Sequence, residues 1–194
     1  MAIVVEELAR VGVHTLLRVG TSGPVAKGLR GGDVVITLAA ARFEGTSASF
    51  APMGFPATAD PQVHAALVAA AEALGVRYRS GITATVDTFQ LSQGRRGYRR
   101  LPIGAGVFGR AELADLGILN VEMEASVLLT LARLYGLRAG VLCAVYPRRP
   151  GGDPVPMGEA TAIRVANEAA YRLVVEGGPK AVEHSGQVRY FREE

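Results

Sequence analysis

A chain of 194 residues, 49% hydrophobic and 20% charged, is long enough to close one well-packed core, and its length favours one domain over two. A formal net charge of +3 is modest, and no apolar run approaches the ~20 residues that a membrane span needs. No basic stretch followed by an apolar one and a cleavage site opens the chain, so a soluble, non-secreted, cytoplasmic protein is expected, and Cys143, the only cysteine, has no disulfide partner.

In chain order, Ile3, Val4, Glu7, Leu8 and Val11 predict a first helix ending at Gly12. Met1 enters it with no Ser, Thr, Asp or Asn ahead to satisfy the first amides, so a segment upstream is expected. His14 to Val19 reads as a buried strand entering a loop, Gly20-Thr-Ser-Gly23, and Asp33 to Leu38 as a second strand. Asp60 caps a helix with Pro61 in its first turn, apolar residues at Val63, Leu67, Ala70, Ala71 and Leu74, and Gly75 at its close. Val76 to Val86 follows as a strand, Ala111 to Leu116 as a short helix and Ala125 to Tyr135 as an apolar helix ended by Gly136. A strand from Arg138 to Val145 and a helix from Glu159 to Val175 complete the series; Gly177-Gly178-Pro179 then breaks it, leaving a polar tail over 178–194. Alternating strands and helices predict one α/β domain over 1–177, its helices covering a parallel or mixed sheet.

Ligands of such sheets bind outside the carboxyl ends of the strands, and four places there carry polar groups. Arg18-Val-Gly-Thr21-Ser22-Gly23 offers a guanidinium, two hydroxyls and backbone amides that can converge on an anion, or merely a turn. Phe89, Gln93 and Arg95 share a loop and suit a flat heterocycle: a ring to stack, an amide that donates and accepts, a cation for a carbonyl. The competing reading makes Phe89 core and Arg95 a solvated charge.

Glu122-Met123-Glu124 sets two carboxylates around a thioether between strand and helix, a costly pairing unless donors such as sugar hydroxyls are supplied. Attraction to the helix N-terminus accounts well for Glu124 and less well for Glu122. Gly104-Ala-Gly106-Val-Phe-Gly109 matches a dinucleotide fingerprint in letters only, because a charged, proline-broken loop precedes it where a strand is required. The basic cluster from Arg95 to Arg100 is confined to one loop, so no nucleic-acid partner is expected, and scattered His14, His64 and His184 indicate no metal site.

On these residues the chain resembles the uridine phosphorylases of the nucleoside phosphorylase I family, over about Met1 to Gly177. Arg18 to Gly23 looks like the family's phosphate-and-ribose loop, Phe50-Ala-Pro-Met-Gly-Phe-Pro-Ala57 like a segment typical of the uridine enzymes, and Val121 to Ala125 like the acidic ribose motif. The resemblance implies a three-layer α/β/α sandwich around a mixed sheet, lacking the family's N-terminal strands. It also implies phosphorolysis of uridine to uracil and ribose 1-phosphate, with phosphate as co-substrate, no other cofactor, and a homo-oligomer.

In that reading Arg18 and Thr21 meet phosphate, Thr21 also lying close to the sugar, Ser22 and Gly23 belong to the same substrate-binding loop, and Met123 packs on the ribose. Glu124 accepts from the ribose hydroxyls, Glu122 supports the motif, and Phe89, Gln93 and Arg95 hold uracil, Gln93 and Arg95 acting with Glu124 in catalysis by stabilising the charge that grows on the departing base. Tyr146-Pro147-Arg148-Arg149 stands where purine-specific relatives carry an aspartate, which favours a pyrimidine. The sequence departs from the family at Gly94, where an acid is common, and at Ala125, where serine is. Family members also carry an upstream segment with further phosphate arginines and sheet strands, so an incomplete phosphate pocket, unpaired sheet edges and a non-catalytic binding module form the alternative expectation.

Overall fold

The structure is a computed structural model that describes residues 1–88, 99, 110–146 and 156–175. Phe89, Gln93 and Arg95, the glycine triplet at 104–109, residues 147–155 and the tail fall outside the described residues.

The strands form the expected mixed sheet. Strand β1 (Thr15–Pro24) lies parallel to β6 (Arg138–Val145), paired from Thr15 opposite Arg138 to Ser22 opposite Val145. Strand β2 (Val34–Phe43) runs parallel to β4 (Tyr78–Val86), and β4 parallel to β5 (Ile118–Glu122). Gly23 and Pro24 of β1 meet Val121 and Asn120 of β5 in an antiparallel step. A further antiparallel pairing sets Val34 to Thr37 of β2 against Ala144 to Val141 of β6, so β2, β4, β5, β1 and β6 return on themselves as a ring.

Register shifts at Leu38, the inserted residue of a bulge, and beyond it the two-residue strand β3 (Ala57–Thr58) joins the same edge of β2 that served β6. The bulge and β3 were not anticipated. Two expected boundaries also move: β2 runs on to Phe43, and the expected loop at Gly20 to Gly23 is strand. Backbone pairing to β6 and then β5 satisfies those amides and carbonyls, overriding the turn preference of Gly and Ser.

Helices cover both faces, giving the three layers. Helices α1 (Ala2–Arg10) and α4 (Ala125–Leu134) bury Val5, Leu128, Leu129 and Leu131 with Leu16, Ala40 and Val141. On the other face α2 (Pro61–Ala73) and α5 (Glu159–Val175) bury Val63, Leu67, Val165 and Ala169 against Val34, Ile36 and Leu142. The short α3 (Arg110–Asp115) adds Leu113 over Ala84, Val86 and Val121. The Asp60 carboxylate accepts the Gln62 and Val63 amides at 3.0 Å to open α2. Gly140 lets α2 approach β6, since a Cβ there would stand 2.4 Å from Val63 Cγ1. Met1 caps α1 without a side-chain hydrogen bond.

Candidate active site

Polar residues recur at every second position of otherwise apolar strands, and the register brings them to one face. Arg18, Gly20 and Ser22 of β1 share it with Cys143 of β6, Asn120 and Glu122 of β5, and Thr83 and Thr85 of β4. Gly20 makes the first arrangement possible: a Cβ there would stand 2.3 Å from Arg18 Nη1, so the guanidinium lies back over the glycine. Nη1 donates to Cys143 Sγ at 3.2 Å. Nη2 donates to Glu124 Oε2 and lies 3.5 Å from Glu122 Oε2.

The two carboxylates do different work. Glu122 ends β5, buried, and accepts from Thr85 Oγ1 at 2.6 Å, from the Glu124 amide at 2.8 Å and from the Ala125 amide at 2.9 Å. It therefore closes the first turn of α4 from inside. Burial raises its pKa, while Arg18, Thr85 and the amides oppose that rise. Glu124 occupies the N-cap position yet makes no side-chain cap bond; its carboxylate reaches Arg18. The helix-terminus account is thus reversed from the expectation: Glu122, at the end of β5, takes the amides of Glu124 and Ala125, and Glu124 pairs with Arg18 instead. Met123, at the surface between them, is 36% exposed.

Thr21 is exposed, Gly23 half-buried beside it, and Ser22 buried. Ser22 Oγ accepts from Asn120 Nδ2 at 2.8 Å, Asn120 Oδ1 accepts from Thr83 Oγ1 at 2.8 Å, and the Thr83 and Thr37 hydroxyls meet at 2.7 Å. This file of side chains crosses β1, β5, β4 and β2. Sequence reasoning missed Asn120, Thr83, Thr85 and Thr37; the period-two polar positions in Thr83-Ala-Thr85 and Asn120-Val-Glu122 were the available signal. Burial pushes the Cys143 thiol up to about 12, so it packs as a neutral group in its apolar strand.

A mixed sheet curled into a ring, layered by helices on both faces and carrying a partly buried ion pair where β5 passes into α4, defines an α/β domain with its polar groups gathered outside the end of a strand. A family model of the phosphorylase superfamily matches residues 1–176. The chain is 46% identical over 193 residues to uridine phosphorylase of Thermococcus kodakarensis, which spans 95% of this chain and 69% of that protein. It is 38% identical over 179 residues to uridine phosphorylase of Escherichia coli, 89% of this chain and 71% of that protein. Guanosine phosphorylase of Halorubrum lacusprofundi is 36% identical over 144 residues, 74% of this chain and 54% of that protein. The chain belongs to the phosphorylase superfamily.

Among the described residues, no helix is long and apolar enough to cross a membrane.

Proposed function

We propose that the chain is a pentosyltransferase that carries out reversible phosphorolysis of uridine. The observation that carries this reading is the Arg18–Glu124 pair over Gly20, which sets a cation for phosphate beside a carboxylate for ribose hydroxyls. The relatives named uridine phosphorylase support it.

A phosphate oxygen attacks the anomeric carbon as the glycosidic bond breaks, its electron pair leaving with uracil N1 and the positive charge passing through the sugar. The products are ribose 1-phosphate and uracil, the base taking up the proton that the attacking hydrogen phosphate gives up. Arg18 holds phosphate with Thr21, and the segment containing Ser22 and Gly23 frames it. Glu124 accepts from the ribose hydroxyls, Met123 packs on the ring, and Glu122 fixes both through the turn. Orientation and matched charge supply the acceleration, with no cofactor besides the phosphate co-substrate. Phe89, Gln93 and Arg95, beyond the described residues, are proposed to hold the base. A homo-oligomer is proposed as the working assembly.

Base choice is tested with uridine, thymidine and guanosine in parallel, each with phosphate, quantifying free base. Tyr146, which follows β6, gives its hydroxyl to Glu159 and places no carboxylate at its own position, so uridine is expected to be cleaved fastest. Faster cleavage of guanosine would overturn the pyrimidine assignment.

A further inference from the structure

A second buried polar assembly lies on the β2 side of the ring. Arg42 spends four donors on one segment: Nε on Ser47 Oγ at 2.8 Å, Nη1 on the Pro52 and Phe55 carbonyls at 2.6 and 2.7 Å, and Nη2 on the Ala51 carbonyl at 2.8 Å. Irregular backbone there leaves those carbonyls without a ladder, and the guanidinium replaces it. Glu44, buried, accepts from the Ser47 amide at 2.8 Å, from the Ser47 hydroxyl, and from the Ser126 hydroxyl at 2.7 Å.

Ser126 belongs to the first turn of α4. Its amide donates to Thr85 Oγ1 at 2.9 Å, and that hydroxyl donates in turn to Glu122. The turn bearing Met123 and Glu124 is therefore held by two buried carboxylates, one from β5 and one from the end of β2. We propose that Glu44 is a positioning residue for the sugar half of the site, tying the segment 47–55 to the turn 122–126 through Ser126.

Two features separate this role from bulk stabilisation. A buried charge is costly, and an apolar residue of similar volume would pack at least as well; what a carboxylate adds is one oxygen, Oε1, shared by hydroxyls from both segments. The link also acts on the turn itself, whereas Arg18, though paired with Glu124, keeps a bond to Cys143 of β6 that does not pass through that turn. The assignment rests on the phosphorolysis reading, in which Met123 and Glu124 meet ribose.

The experiment compares steady-state uridine phosphorolysis by the wild-type chain and the Glu44→Leu, Glu44→Asp, Ser126→Ala and Glu44→Leu/Ser126→Ala variants, with urea unfolding of each. Glu44→Leu, which removes the shared oxygen, is expected to raise KM for uridine about tenfold and leave KM for phosphate within about twofold. Glu44→Asp restores most of the loss, and the double variant is no worse than the worse single one, because both changes cut the same link. If Glu44→Leu does not fold, Ser126→Ala, which keeps both Ser47 bonds, carries the same KM comparison. Equal changes in the two KM values, no change in a folded variant, or additive single effects would overturn the proposal. A wild-type chain without turnover on any nucleoside would contradict the phosphorolysis reading and remove this assignment with it, an outcome distinct from active variants with unaltered KM.

Discussion

Gly20 and Arg18 show how a missing side chain can be a functional feature. The guanidinium folds back over the glycine, and a methyl group 2.3 Å from Nη1 would push it away from Glu124 and Cys143. A Gly20→Ala variant should keep its circular dichroism spectrum and lose about 100-fold in kcat/KM, the scale of a misplaced catalytic contact, in steady-state kinetics. Glu122 and Glu124 should separate cleanly. Glu122→Gln weakens the closure of α4 and should lower stability by about 1–2 kcal/mol in urea unfolding. Glu124→Gln, whose amide oxygen can still accept from Arg18, should shift the urea midpoint less than Glu122→Gln does and lower kcat/KM, since the wild-type carboxylate caps nothing.

His64 gives the pH test. Burial lowers its pKa from the ordinary 6.5, and Nε2 lies 2.7 Å from Ser80 Oγ. A folded-state pKa below the unfolded one means that the native state binds fewer protons, so the neutral ring's contribution is present above 6.5 and is lost as pH falls through the lowered value. The stability of wild type should therefore fall relative to His64→Gln as pH is taken from about 7.5 to about 5, measured by urea unfolding. A constant difference would contradict the shift. At this scale the sequence disclosed part of the grouping: Arg18, Glu122 and Glu124 come together. It could not disclose that Ser22 spends its hydroxyl on Asn120, because that partner lies on another strand.

At the scale of elements, legibility followed how local the cause was. The helix from Pro61 was readable at both ends because Asp60, Pro61 and Gly75 act within one turn of it. Strand β1 was cut short at Val19 because Gly20 to Gly23 looks like a turn, while its pairing with β6 comes from a partner far along the chain. The pair of residues in β3 and the Leu38 bulge carry no local signal at all; only the shared edge of β2 defines them. Replacing Asp60 by Ala should cost about 1 kcal/mol in urea unfolding and leave kcat/KM unchanged, because α2 packs on the face of the sheet opposite the one that bears Arg18 and Cys143. Gly140→Ala should cost about 1–3 kcal/mol by overpacking α2 against β6.

For the whole molecule, curling of the sheet is what turns four dispersed polar strands into one site. The β2–β6 pairing brings the two ends of the strand order together, and the inner face then holds polar side chains that satisfy one another across β1, β5, β4 and β2. Alternation of strands and helices predicted an α/β domain with a covered sheet, and the resemblance implied its three layers; the ring followed from pairing between distant strands and was not predicted. Membership in the phosphorylase superfamily agrees with the motifs at Arg18 to Gly23 and Val121 to Ala125.

The central claim is that this ring presents Arg18 to phosphate and Glu124 to ribose for cleavage of uridine. The most direct measurement is uracil released from uridine by the purified chain with and without phosphate. The account predicts release that depends on phosphate and yields one ribose 1-phosphate for each uracil. No release with phosphate present, or release of free ribose independent of phosphate, would contradict it.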